Sequence, residues 1–138
     1  MKAIAAILVA TLVAHIVGSA VLFGIISGVY GALFSPLLAV FGWFFLLPEA
    51  AGAGVQWLFY RPQERKHMIR FLALSAVIAA AIVAALGPKE EGSKLHWSVG
   101  YAIAAAAAAV ASGFVIHFAK ISIEDKKTEA NQPPEPTR

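Results

Sequence analysis

The chain has 138 residues, 59% hydrophobic and 14% charged, with a net charge of +3 and a mean hydropathy of +0.74. Soluble domains carry about 25% charged residues, yet the 46 consecutive residues between Lys2 and Glu49 hold no Asp, Glu, Lys or Arg. A soluble globular enzyme is thereby excluded, and zero cysteines exclude disulfide scaffolds, thiol nucleophiles and thiolate metal sites.

The first apolar stretch predicts a membrane helix over about 3–26. Its start, Met1-Lys2 followed by apolar residues and then Gly18-Ser19-Ala20, has the outline of a signal peptide. Apolar sequence continues to Leu47, however, so an uncleaved first span is expected. A bilayer core about 30 Å thick takes about 20 apolar residues per crossing, which makes the uncharged run two crossings. The break falls around Ser27–Ser35, where Gly28, Tyr30, Gly31 and Ser35-Pro36 collect. Ser35 suits an N-cap and Pro36 the first helical position, giving a second helix over about 36–60, kinked at Pro48 and stopped by Arg61-Pro62. Pro48-Glu49 can also open a helix; 49–60 would then be an interfacial helix. Ser35 is the better cap, so the single kinked helix is favoured.

The third helix is expected over about 70–86, ending at Gly87-Pro88, and the fourth over about 96–119, ending at Lys120. Residues 1–120 thus form one transmembrane domain, and 121–138, with Pro133-Pro134-Glu135-Pro136, a disordered cytoplasmic tail. Basic residues orient the bundle. Arg61, Arg65, Lys66 and Arg70 flank one side together with Lys2, Lys120, Lys126, Lys127 and Arg138; the 88–95 loop holds only Lys89 and Lys94, offset by Glu90 and Glu91. The expected fold is therefore an all-α membrane protein, a four-transmembrane-helix bundle with both termini cytoplasmic, in the bacterial inner membrane. Arg61, Arg65, Lys66 and Arg70 are candidate contacts for anionic lipid headgroups. The same flanking segments account for the basic pI, so no nucleic-acid partner is expected.

Lipid removes the hydrophobic drive for helix association, so small residues that permit close approach mark helix contacts. The first helix carries Ala6, Ala10, Ala14 and Gly18 at four-residue spacing, then Gly24 and Gly28 as a GxxxG; the fourth carries Gly100, Ala104, Ala108 and Ser112 in one row. Such rows fit either a homo-oligomer interface or tight packing within one bundle, and the latter is the more economical.

Polar residues inside the apolar run are the informative exceptions. From Ala3 to Phe59 there is one carboxylate, Glu49, and one histidine, His15. At about 1.5 Å per residue, His15 lies about 16 Å and Glu49 about 15 Å from the same boundary, so the two should meet across neighbouring helices. Thr11, His15 and Ser19 recur every four residues, and Glu49 and Gln56 are seven apart. Glu49, His15, Thr11, Ser19 and Gln56 form the candidate intramembrane polar or proton site. If 49–60 were interfacial, the pair would be lost. His117, near the inner end of the fourth helix, is expected to snorkel. The chain has no metal-ligand spacing, P-loop or nucleophile elbow, so neither metal, cofactor nor enzymatic activity is expected. The leading expectation is a structural or accessory component packing with itself or a larger membrane partner. The rival is a small proton-coupled transporter or channel using Glu49 and His15.

Overall fold

The computed structural model describes residues 2–39, 46–62, 65–86 and 95–130. Side chains of 34–39, 65–66, 95–98 and 125–130 lie outside that description. Among the described residues the regular structure is all helical: α1 Lys2–Ala39, α2 Leu46–Phe59, α3 Arg65–Leu86 and α4 Leu95–Ala130. Three of the helices are long and apolar enough to cross a membrane, over Lys2–Leu33, His67–Leu86 and Val99–Glu124. The 14 residues of α2 rise only about 21 Å, short of a bilayer core.

The element α1 is two helical stretches joined at Gly28, whose φ of 65° and ψ of −153° belong to backbone space open essentially to glycine. The chain doubles back there. Gly24 and Ala32 are eight positions apart, about 12 Å along a straight helix, yet a Cβ on Gly24 would lie 3.5 Å from the Ala32 Cβ. A Cβ on Gly31 would run into the Phe23 carbonyl and the Ser27 side chain. The expected second helix therefore starts in the wrong place: helical structure resumes directly after Gly28, and Ser35-Pro36 lies inside it rather than at its start. A local cap preference yields here to the one residue able to reverse the backbone. Of the Gly24/Gly28 motif, Gly24 faces Ala32 across this turn, while a Cβ on Gly28 would meet nothing within 4 Å.

Pro48 and Glu49 sit in the first turn of α2, where a missing N–H costs nothing and a carboxylate favours the positive end of the helix dipole. This start corresponds to the alternative opening at Pro48-Glu49; residues 40–45, through which a single kinked helix would have to run, lie outside the described residues. Even so, α2 packs against α1 and α4, and it runs antiparallel to α1. Glu49 reaches His15, and further along Ala53 shares a buried cluster with Ala10, Tyr60 and Ile116. The last turn of α2 closes through Tyr60 N–H donating to the Gln56 carbonyl at 2.9 Å.

The hub is α4, along which both α1 and α3 pack. The predicted small-residue rows of α1 and α4 face each other. Ala6, Ala10, Ala14, Ala104, Ala108 and Ser112 are all buried, and a Cβ on Gly18 would come within 3.2 Å of the Ala108 Cβ. Gly100 continues the seam against Ile25, 3.6 Å from where its Cβ would be. These rows are thus occupied within one chain. On its other side α4 meets α3, where Gly113 leaves room for Leu72 and Phe71. The outer face of α3 stays apolar and exposed at Ile69, Leu74, Val77, Ile78, Ile82 and Leu86.

Two boundaries differ from the charge pattern. α3 begins at Arg65 rather than Arg70, and α4 continues to Ala130, beyond the expected end at Ala119. Charged side chains end an apolar run without ending a helix: Lys and Glu are good helix formers, and Lys120 and Glu124, opposite in sign, are four residues apart. The loop charges Lys89, Glu90, Glu91 and Lys94, and residues 131–138 of the predicted tail, lie outside the described residues.

The glycines make the turn testable. Gly28→Ala meets positive-φ strain and Gly31→Ala a steric clash, so each should destabilise the protein by about 1–3 kcal/mol. Gly52→Ala and Gly54→Ala, in helical positions with no atom within 4 Å of the added Cβ, should be neutral or stabilising by up to about 1 kcal/mol. Thermal unfolding in detergent compares the four; equal effects would contradict a reversal at Gly28.

Candidate functional site

The polar side chains predicted on the first helix separate into different roles. Thr11, buried on α1, donates its hydroxyl to the Ile7 carbonyl of its own helix at 2.8 Å, a bond that spares it any partner on another helix. One turn later His15, also buried, places Nδ1 2.8 Å from Glu49 Oε2. Side-chain exposure is 7% for His15 and 20% for Glu49, so Glu49 is the more accessible member. Ser19 is half-buried on α1 and takes no part in this bond.

Three elements build the pair. Thr11 and His15 share the face of α1 that turns to the bundle, while the first turn of α2 presents Glu49. α4 closes the third side. A Cβ on Gly18 would stand 3.2 Å from the Ala108 Cβ, 3.6 Å from the Ala104 carbonyl oxygen and 4.0 Å from Glu49 Oε1. The missing side chain at Gly18 therefore serves twice: it admits α4, and it leaves space beside the carboxylate. The pair survives a short α2 because the matching depth depends on the rise from Phe59 back to Glu49. That stretch is helical wherever the helix begins.

Gln56 belongs elsewhere. Two turns beyond Glu49, its Nε2 donates to the Ala109 carbonyl of α4 at 3.0 Å. Its Oε1, and the Ser112 hydroxyl on α4, are buried without a hydrogen-bonding partner. The predicted site thus joins His15 to Glu49 and ties Gln56 to α4, but does not gather all five residues at one point.

A second polar group, not anticipated as a unit, lies at the end of α2. The Tyr60 hydroxyl and His117 Nδ1 share a hydrogen bond of 2.5 Å, and Lys120 Nζ donates to the Tyr60 carbonyl. Lys120 also lies 5.1 Å from the Trp57 ring centroid and 6.0 Å from that of Tyr60, within cation–π range. Phe71 of α3 stacks obliquely on Tyr60, with centroids 4.5 Å apart. His117 therefore bonds within the bundle instead of extending alone to the boundary. The available signal was two i,i+3 pairs at one depth, Trp57/Tyr60 on α2 and His117/Lys120 on α4. Nearby, Arg61 and Arg70 are exposed; the side chains of Arg65 and Lys66 lie outside the described residues.

Chemically, the His15–Glu49 pair is a proton donor and acceptor sharing one bond, with no activated nucleophile described beside it. Among the described residues no three His, Asp or Glu gather closely enough to hold a metal ion. No protein-family model, curated protein or solved structure matches the chain.

A double-mutant cycle of His15→Leu and Glu49→Gln, read by thermal unfolding in detergent, should give a coupling energy of about 1 kcal/mol, the range found for interhelical hydrogen bonds in membranes. Additive effects would mean that the two side chains are not joined.

Proposed function

We propose that this protein is a structural or accessory component of the bacterial inner membrane, without enzymatic activity, that packs with a larger membrane partner or with a second copy of itself. The observation that carries this reading is where the buried polar groups go. Glu49, Gln56 and the Tyr60–His117–Lys120 group fasten α2 and its C-terminal end to α1 and α4. In a bilayer such bonds fix helix register, because lipid offers no alternative partner. The chain then crosses four times with both termini cytoplasmic: the stretch after Gly28 and α2 together form the second, returning crossing. The excess of Lys and Arg on the side of 61–70 and the C-terminal tail supports that orientation. The small-residue rows are already paired internally, which leaves the exposed apolar face of α3 as the surface for lipid or a partner.

Cysteine substitutions introduced one at a time into the cysteine-free chain test both parts. Ser93→Cys should label from outside intact cells and Gln63→Cys only after permeabilisation; the reverse pattern would overturn the orientation. Val77→Cys on α3 should cross-link in native membranes to a partner or a second copy. A monodisperse monomer with no cross-linked product contradicts the accessory role.

A second reading, a proton-coupled transporter or channel, is favoured by one observation: Gln56 Oε1 and Ser112 Oγ are buried and unpartnered in the same bundle as the His15–Glu49 pair. Glu49→Gln in proteoliposomes should then abolish pH-driven flux while preserving the fold; flux unchanged by the substitution removes this reading.

A further inference from the structure

We propose that the cleft between the C-terminal end of α2 and α4 is a binding site for the phosphodiester headgroup of an anionic glycerophospholipid, held by Arg61 and Lys120 beside Trp57. The inference rests on the membrane reading above and assigns a ligand class to a site it left unassigned.

The cleft has a volume of about 500 Å³ and is lined by Trp57, Tyr60, Arg61, Lys120, Ile123 and Glu124, among others. That space suits a phosphate with its glycerol, not two acyl chains. Leu58, one position after Trp57 on α2, is apolar and exposed, offering those chains a surface outside the cleft. Two cations enter the lining against one carboxylate, so the opening favours an anion.

The two cations are presented differently. Lys120 is fixed in place, since one N–H is given to the Tyr60 carbonyl and the ammonium lies over the Trp57 face. An ammonium carries three N–H donors, so donors remain for a phosphate oxygen. Arg61 is exposed beside it, and its planar fork matches two phosphate oxygens at once. Trp57 and Tyr60, apolar bodies with polar tips, are residues that settle at headgroup depth. Glu124 stands on the same lining, where its charge opposes a bound phosphate. A diffuse basic surface would have none of this arrangement; here one lysine is anchored by backbone and aromatic rings at the mouth of an open cleft.

The test uses the full chain with Trp43→Phe and Trp97→Phe, so that Trp57 alone reports. The protein is reconstituted in phosphatidylcholine vesicles containing a minority of brominated phosphatidylglycerol or brominated phosphatidylcholine. Quenching of Trp57 should be at least about fivefold more sensitive to the anionic lipid, fivefold being the enrichment expected from each well-placed basic side chain. Arg61→Gln should lower that preference and Arg61→Gln with Lys120→Gln should bring it to parity. Lys120→Arg should retain it and Glu124→Gln should raise it. Arg70→Gln removes an equal charge outside the cleft lining and should leave most of the preference intact.

Equal quenching by both lipids in the otherwise unaltered chain overturns the proposal. So does a preference that survives the double substitution, or one lost equally on Arg70→Gln, which would indicate diffuse attraction to the basic loop. Inorganic phosphate should not relieve the quenching; relief would assign the cleft to a soluble phosphate and overturn the lipid assignment. Flotation of the vesicles separates the two levels: protein that fails to float with phosphatidylcholine vesicles defeats the membrane reading, and the lipid site with it.

Discussion

The close approach of α1 and α4 at Gly18 is the constraint on which the other contacts depend. In water two apolar helices are driven together by removing surface from solvent; in lipid that drive is absent, and what remains is shape and hydrogen bonding. Shape here means Gly18 against Ala104 and Ala108, a contact that even an added methyl would crowd. With the seam closed at Gly18, His15 lies buried on the same helix, and Glu49 has room beside Gly18 to reach it. Widen the seam and the carboxylate loses its protected position. Van der Waals fit therefore comes first, and the polar pair depends on it.

The polar pair in turn compensates for something α2 lacks. A helix of 14 residues buries little of itself, and among its own residues only Ala53 and Gln56 are buried. Its attachment comes instead from hydrogen bonds at three levels: Glu49 near its start, Gln56 in its last turns, and Tyr60 just past its end. Each bond reaches a different place on the neighbouring helices, so sliding α2 by one turn would break all three together. That is how a short helix acquires a single register inside a bundle whose other helices are defined by long apolar faces.

Much of this organisation was legible in the residues, for reasons that also explain the failures. The three long apolar helices follow from composition, because a helix exposed to lipid must be apolar over its whole length. The meeting of His15 and Glu49 was legible because helical rise is constant, and depth can be counted from a charge boundary without knowing where a helix begins. The two alanine and glycine rows of α1 and α4 were legible as packing surfaces, though not as partners for each other, since many alanine-rich faces are interchangeable in sequence. The start of the second helical stretch was misplaced because Ser35-Pro36 is a strong local signal. The reversal is instead decided by the backbone freedom of Gly28 and the space at Gly31, which only the folded-back chain reveals. Helix ends were placed too early for a related reason: at Lys120 the charge marks where the purely apolar run stops, while the helix continues to Ala130.

The end of α2 shows why interface residues resist assignment by type. Trp57, Tyr60, His117 and Lys120 each fit a standard role at a membrane boundary, as belt aromatics or snorkelling bases. That description leaves them acting independently. In the folded chain they share one set of contacts, because a side chain with an apolar body and a polar tip can turn its tip inward as readily as outward once another tip is within reach. Tyr60 is the pivot: its hydroxyl meets His117, its carbonyl meets Lys120, and its ring meets Phe71 of α3. Through this one residue the end of α2 touches both α3 and α4, beside the cleft that Arg61 and Lys120 line. The same contacts that close the bundle at this end therefore also hold Lys120 at the rim of an open, cation-lined cleft. Holding that ammonium costs no further ordering when a phosphate arrives, and a charge ordered before its ligand binds gives up less entropy on binding.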